Sequence, residues 1–115
     1  MAKDNDRFLK EFDKWLDDVY SEIEAGVQQI TEYVAESTLK DAKNNTPVDT
    51  GYLRRSIQMN VEDGGMASTV YAGAEYALFV ELGTYKMLPQ PFLFPAFNKY
   101  TYLYVQEIER LLKNL

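Results

Sequence analysis

From Asp6 to Ala42 the apolar residues fall three or four positions apart: Phe8, Phe12, Trp15, Leu16, Val19, Ile23, Val27, Ile30, Val34 and Leu39, with Asp, Glu, Lys and Gln between them. At 3.6 residues per turn this spacing gathers the apolar side chains into one stripe along a helix. A continuous helix of that length is about 55 Å long, more than the body of so small a domain can cover. Gly26 is the natural break or bend, since glycine costs about 1 kcal/mol against alanine inside a helix. Two arrangements fit: two helices packed on the domain, or one long arm that reaches a neighbour. The expectation carried forward is one long or bent helix, its first half partly used for assembly.

The chain has 115 residues, 46% of them apolar. That suits a single domain over 1–115, with the helix at about 6–43 and an α+β body at about 46–115. Such a domain buries about 65% of the surface its unfolded chain exposes, so contacts with partners matter to it. Nine Tyr, six Phe and one Trp weight the composition towards residues that serve both core edges and interfaces. There is no Cys, which excludes disulfides and thiolate metal sites, and no His, the commonest general base and zinc ligand. The net charge of -6 disfavours nonspecific binding to duplex DNA. No stretch reaches the roughly 20 apolar residues of a membrane span, and the polar start of the chain does not read as a signal peptide. The expectation is a protein that is cytosolic when made, with no membrane contact.

Beyond the long helix, Asn44-Asn45-Thr46-Pro47 marks its end. Asp49, Thr50 and Gly51 offer capping oxygens and a flexible hinge before a short turn over Tyr52–Arg55. Residues 56–62 alternate apolar and polar as a half-wet strand does, Asp63-Gly64-Gly65 is a turn signal, and residues 66–73 return as a second strand. Glu75–Leu82 reads as a short helix stopped by Gly83 and Thr84, with Tyr76, Phe79, Val80 and Leu82 facing the sheet. Pro89, Pro91 and Pro95 forbid regular structure over 88–95, and Pro95 suits the first turn of a last helix over about 96–113. The fold class is α+β: an antiparallel sheet built around a hairpin, packed by a long N-terminal helix, a short helix and a C-terminal helix.

Among single residues, Gly51 tolerates no β-branched replacement if its φ is positive. Arg54, Arg55 and Glu81 are charges whose partners are open: Arg54 paired with Glu81, an arginine facing a neighbouring subunit, or plain solvation. The segment Tyr85, Lys86, Met87, Leu88, Pro89, Gln90, Pro91, Phe92, Leu93, Phe94 is apolar and stiffened by proline, so it loses little entropy on docking and is the candidate partner contact. The competing reading folds it back on the core through Phe92 and Leu93. Acidic pairs such as Asp17-Asp18 and Glu107/Glu109 sit opposite apolar helix faces and are explained by solvation, so neither catalysis nor a cofactor is expected.

Three segments in this order carry a resemblance. They are Thr46-Pro47-Val48-Asp49-Thr50-Gly51-Tyr52-Leu53-Arg54-Arg55-Ser56-Ile57, then Tyr76-Ala77-Leu78-Phe79-Val80-Glu81-Leu82-Gly83-Thr84, then Gln90-Pro91-Phe92-Leu93-Phe94-Pro95-Ala96-Phe97. Together they resemble the gene-product-ten-like tail-component family of siphophages, whose members are described as head–tail joining or tail-completion proteins. The resemblance covers about residues 30–105; the loop after Thr84 is short, and the N-terminal third carries no family signature. It implies a virion structural part at the neck or head-proximal tail, assembled as a ring with itself, six copies being the leading size. Neighbouring neck, tail-tube or terminator proteins would be its other partners, and DNA would at most pass through the lumen. A tail-assembly adaptor or chaperone outside the virion is the alternative.

Overall fold

The computed structural model describes residues 2–47 and 51–115, with side chains from Asp4 onward; the expected cap residues Asp49 and Thr50 lie outside it. Helix α1 runs unbroken over Ala2–Asn45, about 66 Å of helix. It sets the shape: the molecule measures 78 × 22 × 21 Å, and its radius of gyration is 21.0 Å, against about 13 Å for a compact chain of this length. The helix extends past both expected ends, and Gly26 does not break it. A Cβ built on Gly26 would lie 2.6 Å from Leu111 Cδ1. The glycine therefore serves close approach, letting the last helix lie against the backbone of α1.

That last helix, α4, spans Leu93–Lys113. It runs antiparallel to α1, as four contacts show in turn. Asn45 Nδ2 donates to Phe92 O at 3.3 Å, Lys99 Nζ donates to Asp41 Oδ2 at 3.2 Å, the hydroxyls of Thr31 and Tyr104 are 2.9 Å apart, and Leu111 covers Gly26. The hydrogen bond to Asp41 holds the Lys99 ammonium above its ordinary range, on an exposed surface where such pairs add little. The long overlap seats α4 on the C-terminal half of α1 and leaves the N-terminal part without a partner.

Between these helices the chain forms α2 (Tyr52–Ser56), β1 (Ile57–Glu62), a 3-10 turn (Asp63–Gly65) and β2 (Ala67–Ala72). The strands pair antiparallel with Ile57 opposite Ala72 and Glu62 opposite Ala67. Strand β1 starts one residue later than expected because Ser56 closes α2, its Oγ donating to Leu53 O at 2.6 Å. Asp63, Gly64 and Gly65 all have positive φ (50°, 63° and 95°), which explains a turn written with two glycines behind an aspartate. Gln28 Nε2 donates to Gly64 O at 2.8 Å and pins the hairpin tip to α1.

The buried cluster comprises Ala42, Leu53, Ile57, Ala74, Ala77, Phe92 and Ala96, with Leu39, Val70, Ala72, Val80 and Leu93 packed against it. Four of the seven are alanines, among them Ala42 of α1, Ala77 of α3 (Ala77–Leu82) and Ala96 of α4, and the small side chains let α1 and α4 approach closely. Phe92 and Ile57 are the largest fully buried side chains. One expectation is corrected here. Of the residues assigned to the inner face of the short helix, only Val80 packs on the core, beside Ala77; Tyr76, Phe79 and Leu82 are exposed. A six-residue helix has a single inward face, and positions 77 and 80 already fill it. The Tyr76 ring lies 6.1 Å from that of Tyr52, on the surface.

Gly51 precedes α2 with φ 78° and ψ -2°, and a Cβ there would lie 2.8 Å from Arg55 Nη1. Gly51→Val is expected to destabilise the fold by about 2 kcal/mol, since the left-handed region costs an L-residue roughly 1–2 kcal/mol before any clash. Urea denaturation of the two proteins would show the midpoint falling with an unchanged slope.

Candidate assembly interface

The second and third sequence segments meet at one point, the start of α4. The first N–H groups of a helix have no partner within it. Here the Glu81 carboxylate supplies one from another element: Oε2 accepts from Phe92 N–H at 2.7 Å, and Oε1 accepts from Leu93 N–H at 3.0 Å and Phe94 N–H at 2.8 Å. The next residue is Pro95, which has no N–H to satisfy. One carboxylate thus caps every open donor of the first turn, with its charge at the positive end of the helix dipole.

Of the readings left open for these charges, the pair of Glu81 with Arg54 is not formed. Arg54 instead reaches the end of α1, its Nη2 donating to Asn44 Oδ1 at 3.5 Å. The signal for the true role was in the sequence: an acidic residue in the second segment and a proline three residues after Phe92 in the third. Nothing in the spacing alone says that the two segments touch.

The loop between α3 and α4 is built tightly. Gly83 donates its N–H to Phe79 O at 2.8 Å, closing α3, then turns with φ 76° and ψ 173°, a conformation open to glycine. A Cβ on Gly83 would lie 2.7 Å from Pro89 N and 2.9 Å from Met87 O, so the returning chain passes directly over it. Thr84 and Met87 bridge each other through N–H···O bonds of 2.8 and 3.2 Å, and Gln90 N–H reaches Val80 O at 2.8 Å. Pro47, Gly51, Leu53, Tyr76 and Val80 line the shallow cleft beside this loop.

The fixed loop presents apolar groups outward. Tyr85 is 93% exposed and Leu88 82%, with Met87, Pro89, Pro91 and Phe94 exposed beside them and Leu78, Phe79 and Leu82 of α3 continuing the patch. Phe92 departs from the expected contact set: it is 1% exposed and belongs to the core. The ring folds inward because Glu81 holds its own backbone N–H, which fixes the direction of the chain as α4 starts. Arg55 is exposed on α2, its guanidinium beside Gly51.

A second apolar surface lies at the opposite end of the molecule. Residues 4–18 of α1 are exposed throughout, Phe8, Phe12, Trp15 and Leu16 included. The rings of Phe8 and Phe12 stack at 6.1 Å, and those of Phe12 and Trp15 at 5.8 Å. Among the described residues, no group of His, Cys, Asp and Glu could hold a metal ion, and no helix is long and apolar enough to cross a membrane.

The exposed apolar surface thus lies mainly in two regions, the arm and the loop with α3. No curated protein and no solved structure matches the chain. The family described as "Bacteriophage HK97-gp10, putative tail-component" matches residues 6–83, which takes in the N-terminal arm, the hairpin and the Glu81 segment. With more than half its length matched, the chain belongs to the HK97 gp10-like family of phage tail components.

Proposed function

We propose that this chain completes the tail, or joins it to the head, by assembling into a ring at the head-proximal end of the tail. The observation that carries this reading is the surface of the subunit: two apolar regions, the arm and the loop with α3, at opposite ends of a 78 Å body. Soluble monomers rarely expose contiguous apolar patches of this kind unless they bind something. Opposed patches on one rigid body suit head-to-tail contacts, which close into rings when the rotation per subunit allows. Six copies would match a six-fold tail tube. The loop patch around Tyr85 and Leu88 is the surface offered to a neighbouring neck, tail-tube or terminator protein. The net charge of -6 would let DNA pass a lumen without adhering.

Deleting the gene is expected to give full heads and separate tails, and mass spectrometry of purified wild-type particles is expected to find the chain at several copies per particle. A transient adaptor would give the same deletion phenotype with no chain in the particle, and that result would reject a structural role.

A further inference from the structure

The C-terminal half of α1 forms the floor of an apolar groove of about 520 Å³, open to solvent between β2 and α4. Thr31, Ala35 and Thr38, all buried, make the floor; Val70 of β2 and Phe97 and Tyr104 of α4 make the walls. Its size falls in the range of cavities that hold a small organic molecule. Half of its lining residues carry a hydroxyl, but those of Thr31 and Tyr104 satisfy each other at 2.9 Å, and Thr38, Ser68 and Thr69 donate theirs to Val34 O, Asn60 O and Glu62 Oε1. The groove therefore suits apolar side chains.

The arm supplies such side chains. Its stripe prolongs the face that α4 covers lower down: Phe8, Phe12, Trp15 and Val19 lie in line with Gly26 and Ile30, and α4 ends just past Leu111, opposite Gly26. Phe8, Phe12 and Trp15 are 63%, 44% and 56% exposed. At 150–250 Å² per aromatic side chain, these rings leave on the order of 300 Å² uncovered. Leu9, Leu16 and Tyr20 are exposed beside them and roughly double that figure. The arm's share alone, about 600 Å², is what one partner contributes at the lower bound for a specific interface, so the contact takes in the rim of the groove as well as its floor.

The arm cannot fill the groove of its own chain. Trp15 and Ala35 lie on one unbroken helix, 20 residues and about 30 Å apart. Knob and hole can meet only between copies. We infer that the N-terminal arm of one subunit seats Phe12 and Trp15 in the α1–β2–α4 groove of a second copy of this chain, in a head-to-tail contact. The inference rests on the ring reading and names the contact that would build the ring.

Trp15 is the sole tryptophan and the chain has no cysteine, so the full-length protein carries a clean reporter and a clean background for cross-linking. As concentration rises, the mass by light scattering and the blue shift of Trp15 emission are expected to grow together. Thr101→Phe, an exposed position on the groove wall, and Phe12→Glu, on the arm outside the core, are each expected to weaken self-association by at least about tenfold, as loss of a central aromatic anchor does. A Phe12→Cys chain mixed with a Thr101→Cys chain is expected to give a disulfide-linked dimer containing one of each. If the mass grows while Trp15 stays exposed, or if the Phe12→Cys chain cross-links only to itself, the arm–groove contact is wrong and ring assembly by other surfaces stands. A chain that stays monomeric at every concentration overturns both.

Discussion

Phe92→Ala is expected to cost about 3–5 kcal/mol, the usual range for deleting a fully buried aromatic ring. At 1% exposure and packed in one cluster with Leu53, Ile57 and four alanines, the ring leaves a cavity that its neighbours close only in part. Around it α1 and α4 already lie close together, with Ala42 and Ala96 in the same cluster. Domains of this size have only about 5–15 kcal/mol in hand, so the variant should fold poorly at growth temperature. Chemical denaturation decides the matter against the other reading of the residue. A partner-contact Phe92 would leave monomer stability unchanged and weaken assembly alone.

Glu81→Ala comes next, with an expected loss of about 3 kcal/mol. Hydrogen bonds to a charged group contribute roughly 1.5–3 kcal/mol, and losing the cap strands three N–H groups, which water re-solvates only in part. Two of those groups, on Phe92 and Leu93, sit in part-buried surroundings. Glu81→Gln should fall between, since the amide keeps one acceptor oxygen and loses the charge. Arg54→Ala should stay within about 0.5–1 kcal/mol, as exposed polar contacts do. A double-mutant cycle on the two positions should therefore show coupling near zero. A coupling of about 1 kcal/mol or more would restore the ion pair and displace the cap.

These two residues also show what could be read from the sequence and what could not. Local signals were legible. The helical period of α1, the aspartate and glycines of the hairpin tip, the stop at Gly83 and the prolines before α4 each act within a few residues, through backbone conformation and periodicity. The fold class followed from them. What was hidden is set by contacts distant along the chain. Gly26 looked like a break because propensity counts only the helix itself; Leu111, 85 positions away, turns it into a packing site. For Glu81 an ion pair was one of the readings left open, because a charge invites an opposite charge; its partners are backbone donors, which no residue pattern displays. Tyr76, Phe79 and Leu82 looked buried because their spacing is amphipathic. The same spacing serves a face turned towards partners, and the sequence of one chain does not say which apolar face lies inside.

That ambiguity is the physical core of the account. Far more of the large apolar side chains of this protein are exposed than buried, and the exposed ones gather at the arm, on α3 and its loop, and along α4. The hydrophobic effect scales with area removed from water, and a subunit of this shape cannot remove that area alone. On the proposed reading, assembly removes it. Electron cryomicroscopy of the intact particle with this chain traced tests it most directly. The expected density has several copies around the tail axis, with residues 8–20 and the loop at 85–94 each covered by an adjoining chain. An arm left standing in solvent, or a mature particle in which the chain is missing altogether, would contradict it.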